Sequence, residues 1–342
     1  MCWHLKVRRV YFHHMQILIW SIAFIGSLYV LVKSADYFTE YSEKIGLLFG
    51  MSSFIIGATI VAVGTSLPEL VSSLYAVIGT GETSFVVDAV IGSNVANALL
   101  ILGIGAVYAR TLKVTTSLID IDLPFFFMSA GLFTYFAMDK IISWQEGIFL
   151  LIFFIIFVIY NIRSKPEEQD KDEMEDLEEE YDEENEKDTK VKAFKILKYL
   201  GLVVFAMGLI AVSSKYFIDS LLMLSQLFGI SSSVLTISVV AIGTSLPEVL
   251  TSISAIRLGN HGMAIGNVFG SNIFNITLVA SIPAFFGNLD INPTTFAIGL
   301  PFLMLATLTA FFVTMDNKVR IWEGIAMLLI YVVFLGKIIG LI

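Results

Sequence analysis

Residues 64–69 read Gly-Thr-Ser-Leu-Pro-Glu, and residues 243–248 repeat this hexapeptide without change, 179 positions later. A second polar motif, Gly-Ser-Asn-Val-Ala-Asn at residues 92–97, returns as Gly-Ser-Asn-Ile-Phe-Asn at residues 270–275, 178 positions later. Chance similarity between apolar segments exchanges Leu for Ile, but it does not place two polar hexapeptides in the same order at the same spacing. The chain is therefore an internal duplication, and that duplication decides the fold.

The sequence around these motifs is strongly apolar. Of the 342 residues, 56% are hydrophobic and 15% are charged, whereas a soluble domain averages about 45–50% apolar and about 25% charged residues. The apolar residues form runs of about 20, which as helices are long enough to cross a hydrocarbon core of roughly 30 Å. Because the runs are continuous rather than alternating, they argue against a β-barrel. The composition predicts an all-α, polytopic membrane protein.

We expect ten transmembrane helices, five in each repeat. Two of the apolar runs exceed 30 residues. As straight helices they would be about 50 Å long, so we expect each of them to break or kink. The ten runs, of which the second and the seventh are the long ones, are residues 16–33, 47–79, 87–108, 118–138, 142–162, 196–214, 221–254, 262–286, 294–315 and 321–340.

Because each repeat crosses the membrane an odd number of times, the two repeats have opposite orientations. With the N-terminus outside and the central loop inside, Lys and Arg divide as 15 inside and 6 outside, which satisfies the positive-inside rule. The only misfit is the basic N-terminal tail, which a start at Met15 would remove. We expect a tail at residues 1–15, a five-helix repeat at 16–162, an acidic cytoplasmic loop at 163–195 and a second five-helix repeat at 196–342.

The net charge of −9 originates in the central loop. Residues 166–190 hold 15 of the 30 acidic side chains and three lysines, so this segment contributes −12 and the rest of the chain about +3. A segment so charged and so poor in apolar residues cannot bury enough surface to fold alone. We interpret it as a solvated tether between the repeats.

Two acidic residues, Glu69 and Glu248, lie deep inside otherwise apolar runs. Placing an ionisable residue at that depth raises the free energy of membrane insertion by at least about 2.5–3.5 kcal/mol. Two such residues at equivalent positions therefore indicate a function. The alternative is a pair of protonated carboxyl groups bonded to neighbouring helices. Pro68 and Pro247 lack an N–H and clash with the carbonyl four residues earlier. We therefore expect free carbonyl oxygens in the residues just before each proline, namely Gly64, Thr65, Gly243 and Thr244.

The motifs place many other oxygen atoms near these acids. Residues four apart share one face of a helix, so each Ser of the second motif lies beside its last Asn. Together the motifs offer carboxylates, hydroxyls, carbonyls and amides, an all-oxygen set suited to hard cations such as Ca²⁺ or Na⁺. Two carboxylates balance one Ca²⁺, and Na⁺ bound by the same oxygens would make exchange obligatory. The side chains concerned are Thr65, Ser66, Ser93, Asn97, Thr244, Ser245, Ser271 and Asn275.

The twin motifs resemble the two α-repeats of the Na⁺/Ca²⁺ exchangers in the Ca²⁺:cation antiporter superfamily. The resemblance implies a ten-helix inverted fold, exchange of several Na⁺ for one Ca²⁺, and alternating access by sliding of the first and sixth helices. It implies that Glu69 and Glu248 bind Ca²⁺ together with the carbonyl oxygens of Thr65 and Thr244. It also implies that hydroxyl and carbonyl oxygens complete sodium sites and that two amides line the centre; these residues are Ser66, Ser93, Ser245, Ser271, Ala62, Ala241, Asn97 and Asn275.

One residue departs from part of the superfamily. Potassium-dependent exchangers and some prokaryotic relatives have Asp at the position of Asn275, so we expect exchange without K⁺. Proton-coupled relatives usually carry a Gly-Asn-x-x-Glu type of motif at the position of Gly-Thr-Ser-Leu-Pro-Glu. A Ca²⁺/H⁺ antiporter nevertheless stays an alternative, because Glu69 and Glu248 could exchange protons.

Two further classes are less compatible with the sequence. A passive cation channel could use the same oxygens, but channels usually repeat around a pore axis rather than as an inverted pair. An intramembrane enzyme is not expected, because the predicted spans contain neither a His-Glu-x-x-His motif nor a Ser/His pairing. The single cysteine, Cys2, excludes an internal disulfide. We therefore expect no cofactor, no nucleic acid and no obligatory protein partner, only Ca²⁺ and Na⁺ as substrates and the lipid bilayer of the plasma or inner membrane.

Overall fold

The computed structural model describes residues 2–49, 51–114, 123–163, 189–228 and 245–342. Within these ranges the chain forms ten helices, as expected, and four short strands. The helices of the first repeat are α1 (Cys2–Leu48), α2 (Ser53–Thr80), α3 (Ser84–Ala109), α4 (Leu123–Asp139) and α5 (Trp144–Arg163). Those of the second repeat are α6 (Thr189–Leu227), α7 (Leu246–Arg257), α8 (His261–Ala284), α9 (Thr295–Thr314) and α10 (Ile321–Ile338).

The fold is that of a polytopic helical membrane protein. Among the described residues, eight helices are long and apolar enough to cross a bilayer by their length and composition, and α4 is a shorter apolar helix. Large apolar side chains such as Ile22, Phe149, Phe205, Phe312 and Leu329 are exposed on the outer surface of the bundle. In water such a surface would be unfavourable, whereas lipid tails solvate it.

The first helix of each repeat is longer than the sequence predicted. Helix α1 has 47 residues and runs through both the predicted tail and the polar stretch after residue 33, so the boundary at residue 15 is not a break in the helix. The polar stretch stays helical because its acids have partners. Ser254 Oγ donates to Asp36 Oδ1 at 2.7 Å, and Asn260 Nδ2 donates to Glu43 Oε1.

Helix α6 is also long, with 39 residues, and it includes residues 221–227, which the sequence predicts as part of the next span. It also takes in the last residues of the predicted central loop, whose remaining residues, 164–188, lie outside the described part of the chain. Helices α1 and α6 pack against each other in antiparallel fashion. Phe24 stacks on Phe217 with ring centroids 4.8 Å apart, and Tyr41 on Tyr199 at 5.9 Å.

The two long runs behave differently from each other. Helix α2 continues through Pro68 without a break, with π-helical turns at Gly57–Val61 and Ala76–Thr80. We expected a break or a kink, and the structure shows no break. In the second repeat α7 begins at Leu246, directly before Pro247, where proline is favourable because the first N–H groups of a helix have no intrahelical partner. Residues 229–244 lie outside the described part.

Two antiparallel strand pairs show how the repeats are related. Strand β1 (Thr111–Lys113) pairs with β4 (Lys318–Arg320), and β2 (Ile141–Ile142) pairs with β3 (Leu289–Asp290). Each pair takes one strand from each repeat. In β1–β4 residue 111 faces 320, and in β2–β3 residue 141 faces 290. The repeat spacing of 179 converts 111 into 290 and 141 into 320, so the internal symmetry exchanges the two pairs.

These strand pairs lie at opposite ends of the bundle. Strand β1 precedes α4 and β2 follows it, so one crossing of the bundle separates them, and β3 and β4 flank α9 in the same way. The symmetry that exchanges the two pairs therefore turns one repeat upside down relative to the other. This arrangement agrees with the inverted repeats that the sequence predicted.

Helix α8 lies at the centre of the molecule and packs closely on α2. Its residues from Gly262 to Phe274 are all buried. A methyl group at Gly266 would lie well within 3.0 Å of the Phe54 carbonyl oxygen, and one at Gly270 would lie equally close to Ala58. The two helices, one from each repeat, thus meet backbone to backbone, as small residues permit between membrane helices.

Candidate ion-binding site

The acids of the two hexapeptides meet in the protein interior. Glu69 on α2 and Glu248 on α7 are 2% and 0% exposed. Ser66, one turn before Glu69 on the same helix, donates a hydrogen bond to Glu248 Oε1 at 3.3 Å. The two acids therefore lie close to the same turn of α2. The structure brings together the two residues that the sequence singled out from opposite repeats.

Hydroxyl groups connect the two repeats around these acids. Ser93 Oγ donates to Glu69 Oε1 at 3.5 Å and lies 2.9 Å from Ser245 Oγ. Thr65 Oγ1 lies 3.4 Å from Ser271 Oγ. All four of these hydroxyl-bearing residues are buried, and the Ser93–Ser245 and Thr65–Ser271 contacts each join one repeat to the other. The motifs thus form one cluster rather than two separate sites.

Several buried polar atoms of the cluster have no hydrogen-bond partner in the described part of the chain. They are the second carboxylate oxygens, Oε2, of Glu69 and Glu248 and both side-chain amide atoms of Asn97 and Asn275. A buried polar atom without a partner costs about 1–3 kcal/mol, so native proteins rarely leave such atoms unpaired unless an ion or water binds them. The oxygens among them are of the kind that bind hard cations.

The two amides occupy equivalent, irregular turns. Asn97 lies in the π-helical turn Ala96–Ile101 of α3, and Asn275 begins the π-helical turn Asn275–Val279 of α8. The first turn packs against α7, which carries Glu248, and the second packs against α2, which carries Glu69. Single π turns inside α-helices are frequent at functional sites, which agrees with the predicted place of these amides near the centre.

Part of the predicted ligand set is backbone or falls outside the described residues. Thr244 and Ala241 belong to the undescribed segment before α7. Ala62 is buried, and its carbonyl oxygen accepts a hydrogen bond from Thr65 Oγ1 at 3.4 Å. Because Pro68 has no N–H, it cannot bond to the Gly64 carbonyl, although α2 remains helical there. The role of these carbonyls as ion ligands stays a prediction.

The sequence reasoning missed Asn267 of α8. This side chain is 1% exposed and bonds to five residues of the cluster or its flank, namely Thr65, Ser271, Ser252, Thr251 and Glu248. Its position four residues before Ser271, on the same helix face, was a usable signal. A search for repeated residues could not find it, because the first repeat has Ala89 at the equivalent position, 178 residues earlier.

A groove of about 1050 Å³ leads to the cluster between α2 and α6. Its walls are mostly apolar, and Lys215 is the charged residue among the side chains that line it. Thr65, Pro68 and Pro247, which line this groove, belong to the two hexapeptides that contain the acids. The groove therefore reaches the two hexapeptide motifs that carry Glu69 and Glu248.

Comparison with known proteins gives a consistent result. The family model described as sodium/calcium exchanger protein matches residues 19–163 and 198–340. Sodium/calcium exchanger MaX1 of Methanosarcina acetivorans is 32% identical over 339 residues, covering 90% of this chain and 95% of that protein. Inner membrane protein YrbG of Escherichia coli is 29% identical, covering 83% and 85%. A structure of the sodium-calcium exchanger NCX_Mj matches with a TM-score of 0.76 at 27% identity, covering 93% of this chain and 97% of that one.

Proposed function

Because the chain belongs to the sodium/calcium exchanger protein family, we propose that it exchanges Ca²⁺ for Na⁺ across the membrane by alternating access and does not transport K⁺. The observation that supports this most directly is the pairing of Glu69 with Glu248 in one buried, hydroxyl-rich cluster. Because the two carboxylates come from oppositely oriented repeats, the site is related in an equivalent way to the two membrane faces of the protein. Inverted-repeat transporters place their substrate site in this way.

Charge explains why such a site would exchange ions rather than leak them. Without a cation, two carboxylates lie away from water and repel each other, and both effects are costly in a medium of low dielectric constant. One Ca²⁺ removes that cost by neutralising both charges, and Na⁺ ions on the same oxygens do so in its place. The carrier therefore changes from one face to the other only when it is loaded, and this requirement couples the two ion flows.

The ion ligands fall into two groups in this proposal. Glu69 and Glu248, with the carbonyls of Thr65 and Thr244, hold Ca²⁺. Sodium uses the same carboxylates together with hydroxyls and carbonyls from each repeat, while amides line the centre; these residues are Ser66, Ser93, Ser245, Ser271, Ala62, Ala241, Asn97 and Asn275. The unpartnered carboxylate and amide oxygens of the cluster support this division.

The pair formed by α1 and α6 is the element that moves in this mechanism. It lies at the edge of the bundle, and the bonds of Asp36 and Glu43 hold α1 to α7 and to the turn that follows α7. Sliding of the pair along the bundle would break these bonds and expose the cluster to the other face. We place the N-terminus outside and the central acidic loop in the cytoplasm of a plasma or inner membrane, as the distribution of Lys and Arg favours.

Transport of ⁴⁵Ca²⁺ into proteoliposomes tests the function. Vesicles loaded with Na⁺ and diluted into Na⁺-free medium should take up ⁴⁵Ca²⁺, and vesicles with equal Na⁺ on both sides should not. The matched arm replaces the Na⁺ gradient with an outward proton gradient. Uptake driven by protons alone would show a Ca²⁺/H⁺ antiporter, and Ca²⁺ flux that persists without any counter-ion would show a channel.

Potassium independence is a separate prediction, and it rests on Asn275. Its amide is buried and neutral, so the cluster has two formal negative charges rather than three. Na⁺-driven ⁴⁵Ca²⁺ uptake should proceed at the same rate when choline replaces all K⁺. In Asn275→Asp the added carboxylate calls for a further cation charge, and K⁺ should then stimulate uptake. A wild-type protein that transports only in the presence of K⁺ would contradict the prediction.

A further inference from the structure

Asn267 has a defined orientation in the cluster. Its Nδ2 donates to Ser252 Oγ at 2.9 Å and lies 3.4 Å from both Thr251 Oγ1 and the carbonyl oxygen of Glu248. A carbonyl oxygen can only accept a hydrogen bond, so the NH₂ end of the amide must face Glu248. The oxygen end, Oδ1, therefore faces Thr65 Oγ1 and Ser271 Oγ, each at 3.3 Å.

This orientation decides where two hydroxyl hydrogens point. A hydroxyl group has one hydrogen and two lone pairs, and an amide oxygen can only accept. Thr65 and Ser271 each make this bond by directing their hydrogen at Asn267 Oδ1, and the Ala62 carbonyl oxygen, 3.4 Å from Thr65 Oγ1, is the competing acceptor for the Thr65 hydrogen. Their lone pairs are then left for a cation. Without the amide, the two hydroxyls, 3.4 Å apart, would bond to each other or turn a hydrogen towards the ion.

The first repeat has no amide side chain equivalent to Asn267. Ala89 stands at the position equivalent to Asn267 and has no polar group. Ser93, the counterpart of Ser271, bonds instead to Ser245 and Glu69. Ser73, the counterpart of Ser252, is fully buried, and its hydroxyl has no partner among the described residues. Ser93 and Ser271, the equivalent serines of the two repeats, therefore have different hydrogen-bond partners, so their hydroxyl groups are oriented by different residues.

We propose that Asn267 is a positioning residue for Na⁺: by accepting the hydroxyl hydrogens of Thr65 and Ser271, it turns their lone pairs towards the ion in one half of the site only. The inference rests on the proposed exchange function and extends it to a residue outside the repeated motifs. Na⁺, a single charge, depends on neutral oxygens more than Ca²⁺ does, because Ca²⁺ is held chiefly by the two carboxylates. Loss of the amide should thus weaken Na⁺ binding selectively.

The test measures the concentrations of Na⁺ and Ca²⁺ that give half-maximal exchange, using the full chain in proteoliposomes. Asn267→Ala should raise the Na⁺ concentration for half-maximal exchange about tenfold, which corresponds to the free energy of about one hydrogen bond. The Ca²⁺ concentration for half-maximal exchange should stay unchanged. Asn272→Ala is the matched control and should leave both values unchanged, because the partner of this buried amide among the described residues is the Val268 carbonyl of its own helix. Parallel increases for Na⁺ and Ca²⁺ in Asn267→Ala would show a merely structural role and overturn the proposal.

A second variant works in the opposite direction and does not depend on how well Asn267→Ala folds. Ala89→Asn supplies the missing acceptor to the first repeat, so it should lower the Na⁺ concentration for half-maximal exchange and leave the Ca²⁺ value unchanged. An unaltered Na⁺ dependence in this variant would contradict the proposal. Absence of Na⁺-driven uptake in the wild-type protein is a different result, because it would refute the exchange function itself.

Discussion

Replacing either buried acid with its amide, in Glu69→Gln or Glu248→Gln, should abolish Na⁺-driven ⁴⁵Ca²⁺ uptake. Each change removes one of the two formal charges that balance Ca²⁺ while it keeps the size of the side chain. Truncating one member of a buried, hydrogen-bonded charge pair costs about 3 kcal/mol, which is roughly a 100-fold loss of affinity. Uptake at micromolar Ca²⁺ should therefore fall to the level of empty vesicles.

The same variants should remain folded, and this separates loss of transport from loss of structure. Both carboxyl groups are buried, and glutamine avoids the cost of burying a charge. The melting temperature of the purified, ion-free protein should be equal to or above that of the wild type. Glu82→Gln is the control, because Glu82 is exposed at the turn before α3 and should transport normally. Wild-type rates in both glutamate variants would refute the site.

Gly266→Ala should prevent the protein from reaching its folded state. The added methyl group would overlap the Phe54 carbonyl oxygen and lie against the Ala58 nitrogen, and backbone atoms cannot turn aside as a side chain can. Inserting a carbon atom into a well-packed interior lowers the free energy of unfolding by about 1–3 kcal/mol. Because the atoms in the way are backbone atoms, we expect a loss at the upper end of this range. Fluorescence-detected size-exclusion chromatography of the detergent extract should show aggregated protein or none.

Gly131→Ala provides the matched comparison for this prediction. Gly131 lies within α4, and nothing is within 4 Å of the place where its methyl group would lie. Alanine also favours a helix by about 1 kcal/mol over glycine. This variant should be as abundant and monodisperse as the wild type. A monodisperse Gly266→Ala protein with a wild-type melting temperature would show that α2 and α8 do not pack as described.

The sequence predicted the ten helices and the inverted repeats because both depend on patterns that occur twice. Apolar runs and repeated polar motifs are local, and the site acids lie within them. The length of α1 could not be predicted in this way. Asp36 and its partner Ser254 are 218 residues apart, so the polar stretch looked like a loop. Asn267 was missed for the opposite reason, since it occurs in one repeat only.

The continuity of α2 through Pro68 also could not be predicted from the neighbouring residues alone. Proline disfavours a helix interior, and a break was the natural expectation. The structure keeps α2 continuous where its buried side packs closely on other helices, with Gly57 against Met263 of α8 and Gly64 against Phe38 of α1. Packing against other helices outweighs the lost hydrogen bond, and those neighbours come from distant parts of the sequence.

The interlocking of the repeats limits the kind of motion that the protein can use. Helix α3 packs on α10 of the other repeat, α8 packs on α5, and both strand pairs cross between repeats. If one repeat rocked as a rigid body against the other, all of these contacts would have to break together. Sliding of the outer pair formed by α1 and α6, as proposed above, would leave all of these contacts in place. These interlocked contacts therefore favour the proposed sliding of α1 and α6 over a rocking of one repeat against the other.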